Sequence, residues 1–171
     1  MSLKPAVSPT DHIQGKKDAE IVLVEYGDYQ CPYCGAAYPV LKEMMNKYGK
    51  QIQFVFRNFP LSEMHQYARP AAIVAEAAAL QGKFWEMHDA IYENQQYLSE
   101  AFLLELAGKL ELDSHQFNID IKKAAVSEKV DSDFESGIMS GVNGTPSLFV
   151  NGRKFNGGPE DLLQLMSEIV K

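Results

Sequence analysis

Two cysteines stand three residues apart in the run Cys31-Pro32-Tyr33-Cys34, and the 171-residue chain has no others. Thiols at that spacing can share one side of a helix's first turn. There they can close into a small disulfide or open to a dithiol. The run follows the apolar stretch Ile21-Val22-Leu23-Val24-Glu25-Tyr26 and opens a helix-like stretch reaching Tyr48. The first N–H groups of a helix lack backbone partners. Cys31 is expected at or just before the helix start, with Pro32 first inside it, where the missing proline N–H costs nothing. The orphan N–H groups and the positive end of the helix dipole favour a thiolate on Cys31. Such a thiolate attacks readily and also leaves readily from a disulfide. Cys34, one turn inside, should be less exposed and harder to ionise. The spacing thus predicts an asymmetric pair, with Cys31 meeting substrate and Cys34 resolving the mixed disulfide.

Two blander readings compete. A structural disulfide here would close a very short loop, and short loops gain least from cross-linking. A structural zinc site normally needs four ligands, and no second cysteine pair exists. The four histidines (His12, His65, His88, His115) are scattered and read as surface or packed residues rather than ligands. A single C-x-x-C beside a strand–helix pattern is read as redox-active, with no metal and no cofactor expected.

The elements that must position this pair follow from periodicity. Residues 1–20, with Pro5, Pro9 and Gly15, read as an irregular arm, and 21–26 as a buried strand. Residues 27–30 (GDYQ) form the loop to the cysteines. A helix over 32–48 presents Ala37, Leu41, Met44 and Tyr48 on one face, with a kink or break at Pro39. Residues 52–57 alternate as a second strand. From about 65 to 141 the pattern is helical. Pro70 opens an Ala-rich helix stopped by Gly82, and Phe84, Met87, His88 and Ile91 mark the next. Ser99 caps a third, Asp113 with Gln116 resembles a capping box for a fourth, and Ser127 precedes a fifth with Val130, Phe134, Ile138 and Gly141 on one side. Trp85 and Tyr92 are expected in or over the core. Strand returns at 147–150, Asn151-Gly152 signals a hairpin to 153–155, and a last helix buries Leu162, Leu165, Met166 and Ile169.

A net charge of −7 without a basic run argues against nucleic acid. No apolar stretch is long enough to span a membrane; residues 71–80 are too short and contain Glu76. Met1–Gly15 lacks the apolar core of a signal peptide. That favours a cytoplasmic protein, with an exported, periplasmic one whose leader has been replaced as the alternative.

The order strand, C-P-Y-C, helix with Pro39, strand, then Thr145-Pro146 before a hairpin and terminal helix resembles the thioredoxin fold. The helical block between the halves makes it similar to the DsbA-type disulfide oxidoreductases, as do R-N-F-P-L (57–61), Q-G-K-F-W-E-M-H-D (81–89) and V-N-G-T-P-S-L-F-V-N-G (142–152). The resemblance implies one domain over 1–171: an α/β thioredoxin core at 12–62 and 142–171, with a central mixed sheet flanked by helices, and an all-α insertion at 63–141. It implies a redox-active disulfide exchanging with cysteine-containing polypeptide clients and a separate recycling partner. It places Pro146 where the fold carries a cis-proline facing the cysteines. The backbone of Thr145 would then be free to pair with an extended client segment. Pro39 matches the proline that kinks the active-site helix in thioredoxins. Glu25 matches a buried acid that relays the proton of Cys34, an ordinary surface carboxylate being the alternative.

One position departs from the family. DsbA carries a histidine between its cysteines; Tyr33 supplies no positive charge. Cys31 is therefore expected to be acidic for a thiol but less extreme, and the couple less oxidising. C-P-Y-C is also the glutaredoxin pattern, so a glutathione-dependent reductase is one alternative function, and a non-catalytic client-binding or chaperone module is another.

Overall fold

The computed structural model describes residues 1–170. Its sheet has five strands: β1 (His12–Gly15), β2 (Ile21–Gly27), β3 (Ile52–Asn58), β4 (Ser147–Val150) and β5 (Arg153–Lys154), in the order β1-β3-β2-β4-β5. β2 and β3 are parallel and the other pairs antiparallel, so the sheet is mixed. A parallel pair needs a crossover, and α1 (Pro32–Tyr48) supplies it. Between β3 and β4 lie α2 (Ala68–Ala79), α3 (Phe84–Glu93), a short 3-10 turn (Gln95–Tyr97), α4 (Glu100–Lys109), α5 (Ser114–Asp120) and α6 (Ala124–Met139); α7 (Pro159–Ile169) ends the fold. None of the described helices is long and apolar enough to cross a membrane.

Alternation along β2 and β3 builds two cores. Leu23, Ile52, Phe54 and Leu148 pack with Ala37, Leu41 and Met44 of α1 and Leu162 and Met166 of α7. Val24, Tyr26, Val55 and Phe149 face the other way, toward Phe59, Val142 and Phe134 of α6. A third cluster joins α2–α5 to Tyr29, Cys31, Cys34 and Phe56. The cysteines therefore lie where the insertion meets the sheet, and β2 delivers the chain to that seam.

Local signals set some helix ends but not all: α2 begins at Ala68, two residues before the expected Pro70, and α2, α3 and α6 start without a side-chain cap. Ser99 caps α4 by accepting from Phe102 N at 3.1 Å. Asp113 caps α5 by accepting from Gln116 N at 2.9 Å. The return half of that capping box is not made, because Gln116 Nε2 turns to Asp120 and Gln81 Oε1 receives the Asp113 N–H. Asn151 and Gly152 both have positive φ, as the hairpin turn requires. α1 runs unbroken through Pro39, which is exposed.

Other expectations need correction. The arm over 1–20 is not wholly irregular: β1 pairs antiparallel with β3, and Ser2 bridges to Arg153. Four residues with one aliphatic side chain give no periodic signal. The strand forms because the outer edge of β3 needs partners, and because Asp11 just before it is bound by buried Arg57 at 2.8 and 3.0 Å. α6 starts at Ala124, before Ser127, with Lys123 at its cap. Its inward face is Val126, Val130, Asp133, Ser136 and Gly137, whereas Ile138 is exposed. Polar groups face in because the sheet offers partners: Ser136 Oγ lies 2.8 Å from Tyr26 Oη, and Asp133 Oδ2 accepts from Asn58 N at 3.1 Å. Ile169, in the last turn of α7, is also exposed.

The Arg57–Asp11 pair yields a test. Asp11→Ala leaves a buried guanidinium without its carboxylate, and should lower unfolding stability by about 3 kcal/mol in denaturant titration.

Candidate active site

Cys31 is the N-cap of α1, in extended conformation, and Pro32 is the first helical residue. Both cysteines are free thiols. Cys31 Sγ lies 3.4 Å from Thr145 O, in the loop before β4, where the Thr145–Pro146 peptide is cis. Residues 114 positions apart in sequence are thus brought together at one end of the sheet. Cys34 has no exposure, and Cys31 keeps 3%. The asymmetry has the expected sign, but the outer sulfur is more covered than its position at a helix start suggests. The Thr145 carbonyl, expected to be free for a client, faces that sulfur.

The two thiols differ strongly in acidity. Cys31 is drawn down to about 5. The main cause is the hydrogen bond from the Cys34 side chain; the Thr145 side chain and the N–H groups of Cys34 and Tyr33 add to it, against the opposing effect of burial. Thr145 Oγ1 is buried and makes no hydrogen bond of normal geometry among the described residues; the bond between Thr145 and the Cys31 sulfur runs through the backbone carbonyl. Cys34 is pushed far up, first by burial, then by its bond to Cys31 and by the charge of Glu25. Helix-end N–H groups contribute as the sequence suggested, but the inner sulfur's proton contributes more.

Glu25 is 3% exposed on β2 and is not a surface carboxylate. Burial, reinforced by the Cys31 thiolate, raises it to about 8. It borders a cavity of about 20 Å³ shared with Tyr38, Lys42, His88 and Asp89, room for about one water. Lys42 in turn bonds Asp89. Tyr33 is 76% exposed beside the cysteines. Together with Ala36, Thr145, Pro146, Leu148 and Phe155 it lines a groove of about 550 Å³.

The loop before Cys31 carries residues that motif reading passed over. Asp28 is 1% exposed, and its Oδ1 accepts from Gln30 N at 2.7 Å and Cys31 N at 3.1 Å. Gln30 Oε1 accepts the Tyr67 N–H, at the start of α2, at 2.7 Å. Gln95, from the 3-10 turn, donates to the carbonyls of Tyr29 and Cys31, each at 2.9 Å. Its amide packs so close to Gly35 that any Cβ there would collide with it. One signal was available: an Asp a few residues before a helix start often folds back on the N–H groups that follow. Nothing in the sequence pattern pointed to Gln95. Among the described residues no cluster of three or more His, Cys, Asp or Glu side chains could hold a metal ion.

Comparison with known proteins bears on the family and the fold. The profile of the thioredoxin family matches residues 7–168. The chain belongs to that family. Its fold is that of the DsbA-like oxidoreductases, with the C-x-x-C pair at Cys31–Cys34. A thioredoxin-like oxidoreductase from Silicibacter pomeroyi is 25% identical, with a TM-score of 0.80 over 94% of this chain and 92% of that one. The thiol-disulfide exchange protein alpha-DsbA2 from Wolbachia pipientis is 23% identical, with a TM-score of 0.82 over 95% and 88%. BdbD from Bacillus subtilis is 20% identical, with a TM-score of 0.80 over 92% and 91%. The Na(+)/H(+) antiporter NhaA 3 of Salinispora tropica is 40% identical over 153 residues, 90% of this chain and 23% of that protein. NhaA 1 of Mycolicibacterium vanbaalenii is 39% identical over 166 residues, 96% of this chain and 27% of that protein. The chain thus spans about a quarter of the length of these curated relatives.

The raised carboxyl of Glu25 has a measurable consequence. The folded state holds the Glu25 proton to about pH 8, whereas an unfolded glutamate releases it near 4.5. Between those values the folded state binds more protons, so unfolding free energy falls as pH rises. Glu25→Gln removes that slope. In the reduced protein, the variant's stability relative to the parent should rise by ~1.4 kcal/mol per pH unit across this window; denaturant titrations at several pH values read it directly.

Proposed function

We propose that the protein is a thiol-disulfide oxidoreductase that exchanges disulfides with cysteine-containing polypeptides through the Cys31–Cys34 couple. The observation that carries this reading is the unequal sulfur pair at a helix start, facing Thr145 across the fold. When the couple is oxidised, a client thiolate attacks Cys31 Sγ and Cys34 leaves with the electron pair. A second client thiolate then attacks the client sulfur of the mixed disulfide, and Cys31 leaves as a thiolate. In the reductive direction Cys31 attacks and Cys34 resolves. A Cys31 thiolate stable at neutral pH is a good leaving group and favours the dithiol form, which tips the couple toward accepting electrons. Recycling by a separate redox partner then completes the cycle.

Glu25 is assigned the transfer of the Cys34 proton, relayed through the small cavity toward Lys42. Its raised pKa lets it both accept and release a proton near neutral pH. Pro32 and Tyr33 form the outer lip of the site. Thr145 and Pro146, with the adjoining groove, are assigned to an extended client segment, which would displace Cys31 Sγ from the Thr145 carbonyl as it pairs with the loop. Approach along this groove suits a client reaching a sulfur with so little exposure.

Reduction of an insulin-type disulfide and oxidation of a reduced client protein test the reading. Cys31→Ser should abolish both activities. Cys34→Ser should still attack but accumulate a mixed disulfide with the client, visible on a non-reducing gel. Full activity in Cys31→Ser contradicts the assignment. Turnover that requires glutathione would favour a glutaredoxin-like enzyme, and client binding that persists with both cysteines replaced, without exchange in the parent, would favour a chaperone module.

A further inference from the structure

Asp28 does more than shape a loop. Its buried carboxylate receives four N–H groups: Gln30 and Cys31 on Oδ1, Leu61 at 2.9 Å and His65 Nδ1 at 2.8 Å on Oδ2. The side chain is thereby held on both sides, by the active-site turn and by the segment that follows β3. The backbone N–H of the same residue donates to Cys34 Sγ at 3.5 Å. Fixing the carboxylate fixes the direction of that N–H. The His65 side chain retains only 16% exposure, so its bond to Asp28 is shielded from water.

We propose that Asp28 is a positioning residue for disulfide exchange: its carboxylate, held by His65, keeps the Asp28 N–H aimed at Cys34 Sγ, where it stabilises the inner thiolate. The proposal rests on the exchange reading above. In the resolving step, the Cys34 proton goes to a base and the Cys34 thiolate attacks Cys31 Sγ. The Cys31–Cys34 bond forms as the Cys31–client bond breaks, and the client sulfur leaves with the electron pair and takes a proton from solvent. One disulfide replaces another, so no outside oxidant or reductant enters. The costly species is the buried Cys34 anion. Burial and Glu25 oppose it, whereas the Asp28 N–H favours it; the opposition that the Cys31 thiolate offers in the free dithiol ends once Cys31 is bonded to the client. The acidity of the Cys31 sulfur is set by other groups, namely Cys34, Thr145 and the N–H of Tyr33, and Asp28 touches Cys31 only at its backbone N–H. Loosening Asp28 should therefore slow resolution and spare the first attack.

The reduced 171-residue chain mixed with an aromatic disulfide such as Ellman's reagent separates the two steps. Cys31 releases one coloured thiolate in a concentration-dependent phase, and Cys34 releases the second in a concentration-independent phase. His65→Ala should slow the second phase about tenfold and leave the first within about twofold. His65→Asn, whose amide nitrogen takes the place of Nδ1, should return the second phase to within about twofold of the parent. Asp28→Asn provides an independent arm: one oxygen cannot serve both pairs of N–H donors, so its second phase should slow as well. The proposal is overturned if both His65→Ala and Asp28→Asn resolve at the parental rate, if both phases slow in equal ratio, or if His65→Asn is no better than His65→Ala. A parent that releases no second thiolate would instead end the exchange reading itself.

Discussion

The chemistry of the site depends on the interaction between its two sulfurs. Cys34, sealed in the seam between sheet and insertion, cannot ionise easily, so it donates to Cys31. That donation sets Cys31 well below an ordinary thiol. Burial alone would have raised both sulfurs. What separates them is that one has a surface edge and several donors, while the other has the core, a carboxyl and a sulfur neighbour. The redox asymmetry is thus a consequence of depth: three residues along the first turn of a helix carry the chain from the rim to the interior.

Holding that depth difference requires the whole fold. β2 brings the chain to the seam and places Glu25 behind the inner sulfur. The insertion is part of the machinery rather than an appendage, because Tyr67 N and the Gln95 side chain grip the same turn that Asp28 grips from within. Two donors of the turn, the N–H groups of Gln30 and Cys31, are held by Asp28, and two acceptors, the carbonyls of Tyr29 and Cys31, by Gln95, which pairs these backbone groups without secondary structure. The β4 loop supplies the opposing wall at Thr145.

Much of this was legible in the residue pattern. The cysteine spacing, Pro32 at the helix start, the buried strand 21–26 and the Asn151-Gly152 hairpin are local signals, and they act locally in the fold. β1 was not legible: a four-residue edge strand forms through a partner already in place. Ile138 and Ile169 misled because an apolar residue at helical spacing need not be covered when the helix ends or turns away from its support. Asp28 had a local signal, its place just before a helix start, that motif reading passed over; His65 and Gln95 escaped because their importance lies in long-range hydrogen bonds, which leave no periodic trace. Glu25 shows the reverse case: the family resemblance implied its burial against the alternative of a surface carboxylate, and its direction of shift follows from that burial.

The account is tested most directly by following thiolate ultraviolet absorbance against pH in the reduced parent. It predicts a single thiolate per chain appearing with a midpoint near pH 5, assigned to Cys31 by its loss in Cys31→Ser. The second sulfur should remain protonated throughout the neutral range. Two thiols titrating together near the ordinary cysteine range would show that the sulfurs are equivalent, and would contradict it.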